Sequence, residues 1–313
     1  MLLAHGAQYL AVARLEEALP LRDAYPDAPL FVLGYTPDRL LETAVAANIT
    51  LTVFTLHQAQ LLNEAAQRLH RQARIHLKVE TGFNRLGSDD VEELRAILQL
   101  PHLDAEGIYS HLALKDRPSD EIQLKRFLDM VHALESTGHR FRYRHIADSI
   151  SAVDYPDFRL NMIRPGAILY GMKGFESDSI TVLPAMTMQT RIARLRRIAP
   201  GEGVGYDLAW EASRPSVIAT LPVGYADGYP RALGGKAYVT IRGCKCPLVG
   251  ILCMDQCVAD VTDVPHVQEG DEVILYGDGT NNTLSVAEAA QLAGCNKNEI
   301  LCRLTQRPVR IYE

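Results

Sequence analysis

From residue 10 to about residue 165, short apolar runs alternate with segments whose apolar residues recur at the helical period. The runs are LAVA (10–13), LFVLG (30–34), LTVFT (51–55), RIHLKV (74–79), EGIYSH (106–111), FRYRHI (141–146) and RLNMIR (159–164). Each is too short for a stable helix and reads as a strand. Between them, LNEAAQRL, VEELRAILQL and IQLKRFLDMVHAL place apolar residues at i, i+3, i+4 and i+7, as helices packed on a sheet must, and Gly138 marks a helix stop. Strand and helix in strict alternation imply a parallel sheet. So many units in one array predict a TIM-type (β/α)8 barrel rather than an open sheet. Only seven runs are present where a closed barrel has eight strands, so one strand is unaccounted for. The opening stretch MLLAHGA reads as the tail of an apolar helix, followed at once by a short buried strand.

After about residue 185 the rhythm changes. SVIATLPVG, KAYVTIRG, CPLVGILCMDQCVADV and DEVILYGDG carry β-branched alternation between turn signals, which predicts a mostly β second domain. It closes with two short helical pieces, the first opened by a capping box at Ser285 and Glu288 and ended by Gly294. The expected domains are residues 1–187 and 188–313.

Composition narrows the ligand. The 313 residues are 47% hydrophobic and 22% charged, an ordinary globular balance. A net charge of -6 without a Lys/Arg block argues against a nucleic acid or an anionic membrane as partner. No apolar stretch is long enough to span a bilayer, and the first residues lack the basic start of a secretory signal, so a cytoplasmic protein is expected. All six cysteines fall in the last quarter with no Cys-x-x-Cys spacing, which reads as reduced core thiols rather than a metal site. A small molecule is the expected ligand.

In a parallel barrel the chemistry sits at the C-terminal ends of the strands. There the chain is polar: Lys78 to Arg85 in KVETGFNR, Ser110 and His111 after the fifth run, His145, Asp148 and Ser149 after the sixth, and Arg164 after the seventh. Any one of these reads equally well as an ordinary polar loop residue or a satisfied structural histidine. Convergence of four loops on one mouth favours a site. The last barrel loops commonly bind phosphate, and Ser149 with Arg164-Pro165-Gly166-Ala167 offers a hydroxyl and amide donors for one.

At these residues the chain resembles the alanine racemase family of pyridoxal phosphate (PLP) enzymes. The likeness rests on LKVETGFNRLG (77–87), His145-x-Ala-x-Ser149, IRPGAILYG (163–171), VGY (204–206), GYADGYPR (224–231) and CMDQ (253–256), in order and across essentially the whole chain. It implies racemisation of alanine by two bases on opposite faces of a PLP aldimine, with the D-alanine feeding cell-wall peptidoglycan. It also implies a homodimer whose sites use both chains. Arg164 is then the partner of the pyridine nitrogen, and Tyr206, from the second subunit, the base on one face. His111 and His145 belong to the cofactor site, with Ser149, Gly166 and Ala167 at the phosphate. Arg85 lies near the substrate carboxylate, and Tyr229, Met254 and Asp255 close the substrate entrance. Lys78 stands where members often have a carbamylated lysine that orients Arg85; an ordinary ion pair to a nearby acid is the alternative.

Three departures from the family pattern stand out. Asp148 replaces the usual Asn and Gln306 a phosphate-binding tyrosine, and either change would weaken PLP binding. The family's PLP lysine, in a motif like V-K-A-x-A-Y-G-H-G, belongs at the end of a first strand upstream of MLLAHGA. A crossover unit takes roughly 30 residues, so at least that much is expected before Met1. The alternatives to an alanine racemase are therefore an inactive PLP-binding or regulatory homologue and a racemase of serine or a broader amino-acid set, since one extra hydroxyl is hard to reject.

Overall fold

A computed structural model describes residues 1–172 and 180–312. The chain forms two compact units, one built mainly from Met1–Gly166 and the other mainly from Thr181–Glu313, to which residues 167–172 also belong.

The first unit is a parallel half-barrel of six strands: β1 (Leu10–Val12), β2 (Leu30–Val32), β3 (Thr50–Val53), β4 (Ala73–Lys78), β5 (Leu103–Tyr109) and β6 (Tyr143–His145). They pair in chain order, each parallel to the next. β2 and β3 are buried along their whole length, as strands covered on both faces must be. The covering helices are α1 (Leu15–Ala24), α2 (Leu41–Ala46), α3 (Leu56–Arg68), α4 (Val91–Leu98), α5 (Arg117–Glu135) and the single turn α6 (Ser151–Asp154). The expected helical segments are α3, α4 and α5, and each starts on a side-chain cap. Thr55 Oγ accepts from the Gln58 amide, Asp90 from Glu92 and Glu93, and Asp116 from Ser119. Ala59, Leu62 and Ala66 of α3, with Phe127, Val131 and Leu134 of α5, turn the buried stripes onto the sheet. Burying a side chain such as Phe127 contributes about 2–3 kcal/mol.

Two expectations for this unit fail. The seventh run, 159–164, is not a strand: Leu160 has a positive φ of 50° and its residues are exposed or only half-buried. The reason lies in Asn161, whose side chain accepts from the Arg144 amide of β6 and donates to the carbonyl of Arg142 just before it, taking main-chain groups that a seventh strand would have used. One main-chain bond survives, from the Arg164 amide to the Ala147 carbonyl at 3.0 Å. At the other end, residues 3–5 form an exposed 3-10 turn, and β1 is only partly buried.

The second unit is antiparallel. Its strands are β7 (Met188–Arg191), β8 (Arg194–Ile198), β9 (Gly203–Val204), β10 (Trp210–Glu211), β11 (Ser216–Leu221), β12 (Tyr238–Ile241), β13 (Cys244–Val249), β14 (Cys257–Asp260) and β15 (Glu272–Tyr276). β9 and β10 pair as a small ribbon, and the other seven form one sheet in the order β7-β15-β12-β13-β14-β11-β8. Only Ile192 and Ala193 separate β7 from β8, yet these are the sheet's two outer strands. Its ends therefore lie within a two-residue reach of each other, about 7–10 Å, and the sheet curls on itself. Val239, Ile241, Leu248, Ala259 and Leu275 fill the inside. Helices α7 (Val286–Ala293) and α8 (Lys297–Arg303) follow. Ser285 caps α7 as expected and Gly294 ends it at φ 69°, but the Glu288 carboxylate accepts from the Tyr238 hydroxyl at 3.1 Å. Among the described residues no helix is long and apolar enough to cross a membrane.

Candidate functional site

Arg164 organises the mouth of the half-barrel. Its Nη1 donates to His145 Nδ1 at 2.6 Å, and its Nη2 donates to the Ser110 carbonyl at 2.8 Å, the Ile146 carbonyl at 3.0 Å and His111 Nδ1 at 3.3 Å. The guanidinium thus gathers the ends of β5 and β6 into one hydrogen-bonded hub, as its planar fork suits it to do. Burial draws its pKa down to about 10, against the pull of Tyr109 and Asp148. It remains a cation at neutral pH.

A donor-only group on Nδ1 determines the protonation of both histidines. Neither Nδ1 carries a proton while Arg164 donates to it, so each neutral ring holds its proton on Nε2. Burial, then the Arg164 charge, holds His111 down at about 4, with Asp148 opposing. The fully buried His145 is pushed well below the usual histidine range by desolvation and by Arg164. The ring of Tyr109 lies flat on that of His145, centroids 4.8 Å apart and planes within 3°.

Beside this hub, Ser149 Oγ accepts from the Gly166 amide at 2.8 Å. Among the described residues, a Cβ built on Gly166 would meet only that hydroxyl, at 4.0 Å. Asp148 lies just before α6, its Oδ1 accepting from the Ile150 and Ser151 amides and from Ser151 Oγ. Ala167 begins the 3-10 turn Ala167–Tyr170 of the second unit, where its carbonyl accepts from the Met172 amide.

Lys78 is 5% exposed and donates to the Val79 carbonyl at 3.1 Å, with its ammonium 5.2 Å from the centre of the Tyr109 ring. Among the described residues it makes no carboxylate ion pair. Burial, followed by the Arg164 charge, pulls its pKa down to about 8, Arg85 adding to the effect and Glu80 opposing it. Arg85 is exposed, with its guanidinium carbon 4.3 Å above the Phe83 ring.

In the second unit Gly205, Tyr206, Cys253, Met254, Asp255 and Gln256 line an open cleft of about 470 Å³. Tyr206 is 66% exposed and Met254 54%, while Asp255 pairs with Arg307 at 2.7 Å. Tyr229, expected beside them at an entrance, is not in this cleft. It is fully buried against Tyr276, ring centroids 5.2 Å apart, and its hydroxyl has no hydrogen-bond partner among the described residues. GYADGYPR alternates turns with inward residues, and Tyr229 follows the Tyr225–Asp227 turn into the core.

Residue patterns missed His76 and Glu106, both buried within strands; His145 Nε2 lies 2.8 Å from His76 Nδ1. The available signal was a histidine and a glutamate at buried positions in otherwise apolar runs.

The chain matches the models of the alanine racemase N-terminal domain over residues 1–174 and of the C-terminal domain over residues 185–312. It is 37% identical to alanine racemase 1 of Clostridium acetobutylicum over 322 aligned positions, covering all of this chain and 83% of that one. Among solved structures it resembles the alanine racemase of Clostridium difficile 630 in complex with cycloserine (TM-score 0.90, 33% identity, 98% of this chain and 81% of that one). It also resembles the alanine racemase of Streptomyces coelicolor A3(2), with a TM-score of 0.93 and 30% identity over 99% of this chain and 85% of that one. With both domain models matched in order and identity above 30% over the full length, the chain belongs to the alanine racemase family.

Proposed function

We propose that this protein is a cytoplasmic, homodimeric alanine racemase that interconverts L- and D-alanine with PLP and so supplies D-alanine for peptidoglycan. The observation that carries this reading is the Arg164 hub, a permanent donor backed by two neutral histidines and flanked by the Ser149 hydroxyl and the Gly166 amide. That donor set fits both ends of PLP. Ser149 with the Gly166 and Ala167 amides would hold the phosphate, and Arg164 the pyridine nitrogen. PLP, when bound, supplies a sink for the electrons left when the α-proton departs. An arginine that keeps its protons leaves the pyridine nitrogen unprotonated and moderates that sink, which limits side reactions.

The remaining roles follow from chemistry and exposure. Tyr206 presents its phenol to solvent, and from the partner subunit it would take or return the α-proton on one face. A phenol must give up its proton before it can act as a base, and it needs a hydrogen-bond partner to do so. Neutral His111 has only Nε2 left to offer one, because Arg164 engages its Nδ1. Arg85 would bind the substrate carboxylate. A lysine held near pKa 8 without a carboxylate partner is suited to carbamylation: the neutral amine adds CO2, forming a carbamate anion beside Arg85 and releasing one proton. Met254 and Asp255 would border the entrance through the cleft at Tyr206.

The test is incubation of the protein with PLP and L-alanine while following circular dichroism, with sedimentation in parallel. Loss of the L-alanine signal toward zero by a dimer supports the reading. A protein that binds PLP and leaves L-alanine unchanged overturns it.

A further inference from the structure

A line of buried polar side chains runs from Arg164 down through the half-barrel. His145 Nε2 is 2.8 Å from His76 Nδ1, and His76 Nε2 faces Glu106 Oε1 at 3.8 Å. All three residues are buried, His145 and His76 completely. Because Arg164 can only donate, His145 must carry its proton on Nε2 and donate to His76 Nδ1. His76 then holds its own proton on Nε2, which has no hydrogen-bond partner among the described residues and whose nearest anion is the Glu106 carboxylate, 3.8 Å away. The hydrogen bonds from Arg164 to His76 have one direction, and the last step to the anion is electrostatic. The Glu106 carboxylate is kept ionised, below its ordinary range despite burial, by His76 and by Tyr9, whose hydroxyl donates to Oε1 at 2.5 Å. Thr50 Oγ and Arg142 Nη1 add donors, each at 3.3 Å.

The local fold is shaped around this line. Pairing between β4 and β5 slips at one point: Ile75 faces Ala105 and His76 faces Gly107, leaving Glu106 as the extra residue of a bulge. A bulge re-aims the side chain it carries. Gly107 is required by the same arrangement, since a Cβ there would sit 2.5 Å from the His76 ring. Phe31, Tyr9 and Tyr143 wall the His76 ring, with centroids 4.4, 6.0 and 5.8 Å away. A buried charge, a bulge and an obligatory glycine would be a poor use of a core that Leu and Val could fill.

We infer that Glu106 and His76 are positioning residues for Arg164: the buried carboxylate polarises two histidines of fixed tautomer, so that His145 Nδ1 becomes a stronger acceptor and holds the guanidinium in place. The logic is that of a carboxylate behind a metal-bound histidine, where the anion fixes the tautomer and raises the basicity of the opposite nitrogen. The inference deepens the racemase reading, in which Arg164 faces the cofactor, but its test needs no cofactor.

The experiment is 15N NMR of histidine rings and arginine side chains in the native protein and in Glu106→Gln, which preserves shape and removes the charge. In the native protein both rings should be neutral with the proton on Nε2. In Glu106→Gln, His76 should populate both tautomers, because an amide can donate or accept, and the Arg164 Nη protons should exchange with solvent at least tenfold faster. Arg142→Ala, altering only the exposed end of the line, should leave both signals unchanged. A proton on His145 Nδ1 in the native protein overturns the inference without any variant, so a Glu106→Gln chain that fails to fold does not shield it. Unchanged tautomers and unchanged Arg164 exchange in a folded Glu106→Gln also overturn it, leaving the racemase reading untouched.

Discussion

Arg164 donates to Nδ1 of His145 across 2.6 Å, and this bond fixes the proton of a ring with no solvent exposure. Replacing Arg164 by Lys retains the charge and removes the fork, so the Ser110 and Ile146 carbonyls and two histidine nitrogens compete for one ammonium. Hydrogen bonds to a charged group are worth about 1.5–3 kcal/mol each, so the variant should lose about 3 kcal/mol or more of unfolding free energy. Urea denaturation measures it; a loss below about 1 kcal/mol would show that the hub is not structural.

Lys78 should make stability depend on pH in a defined direction. Its folded pKa is about 8 against the ordinary lysine value of 10.5, so between these values the unfolded chain binds more protons and stability rises with pH. The full cost, about 3 kcal/mol from the size of the shift, applies below pH 8 and fades toward pH 10.5. The stability advantage of Lys78→Met over the native chain should therefore shrink as pH rises from 7 to 10. At pH 7.5 about a quarter of the Lys78 amine is neutral, against about one part in a thousand for an ordinary lysine. Carbon-13 bicarbonate should accordingly give a carbamate resonance that Lys78→Met lacks; its absence from the native spectrum would leave Lys78 an ordinary buried amine.

Tyr206→Phe should separate chemistry from stability. The side chain is 66% exposed, so unfolding free energy should stay within about 0.5 kcal/mol of native. Loss of a positioned acid–base group costs about 10²–10⁴ in rate, and the α-proton should exchange with deuterium far more slowly from one enantiomer than from the other. Equal losses from both enantiomers would remove the assignment of Tyr206 to a single face.

Tyr229→Phe provides the opposite case. Its hydroxyl is buried without a partner among the described residues, which costs about 1–3 kcal/mol, so the phenylalanine variant should unfold at equal or higher urea concentration. A clear destabilisation would mean that the hydroxyl is bonded in the assembled protein, and a changed KM for alanine would restore Tyr229 to the substrate entrance.

What the sequence by itself determined is what depends on near neighbours. The alternation of apolar runs and helical stripes locates six parallel strands and the helices α3, α4 and α5, because strand and helix periods are properties of a few consecutive residues. Ser285 was readable as a helix start for the same reason, capping an amide three positions on. The polar residues of the mouth were legible as a set, since strand ends place them there. Only the tertiary structure decided which of them touch. Arg164 finds Ser110 and His111 more than fifty positions away, and His145 finds His76 across 69. It also decided that Asn161 takes the hydrogen bonds of a seventh strand, that a one-residue slip between β4 and β5 turns Glu106 toward His76, and that Tyr229 faces inward. Each outcome depends on competition for hydrogen-bond partners or space between segments far apart in the chain, and a local pattern carries no record of that competition.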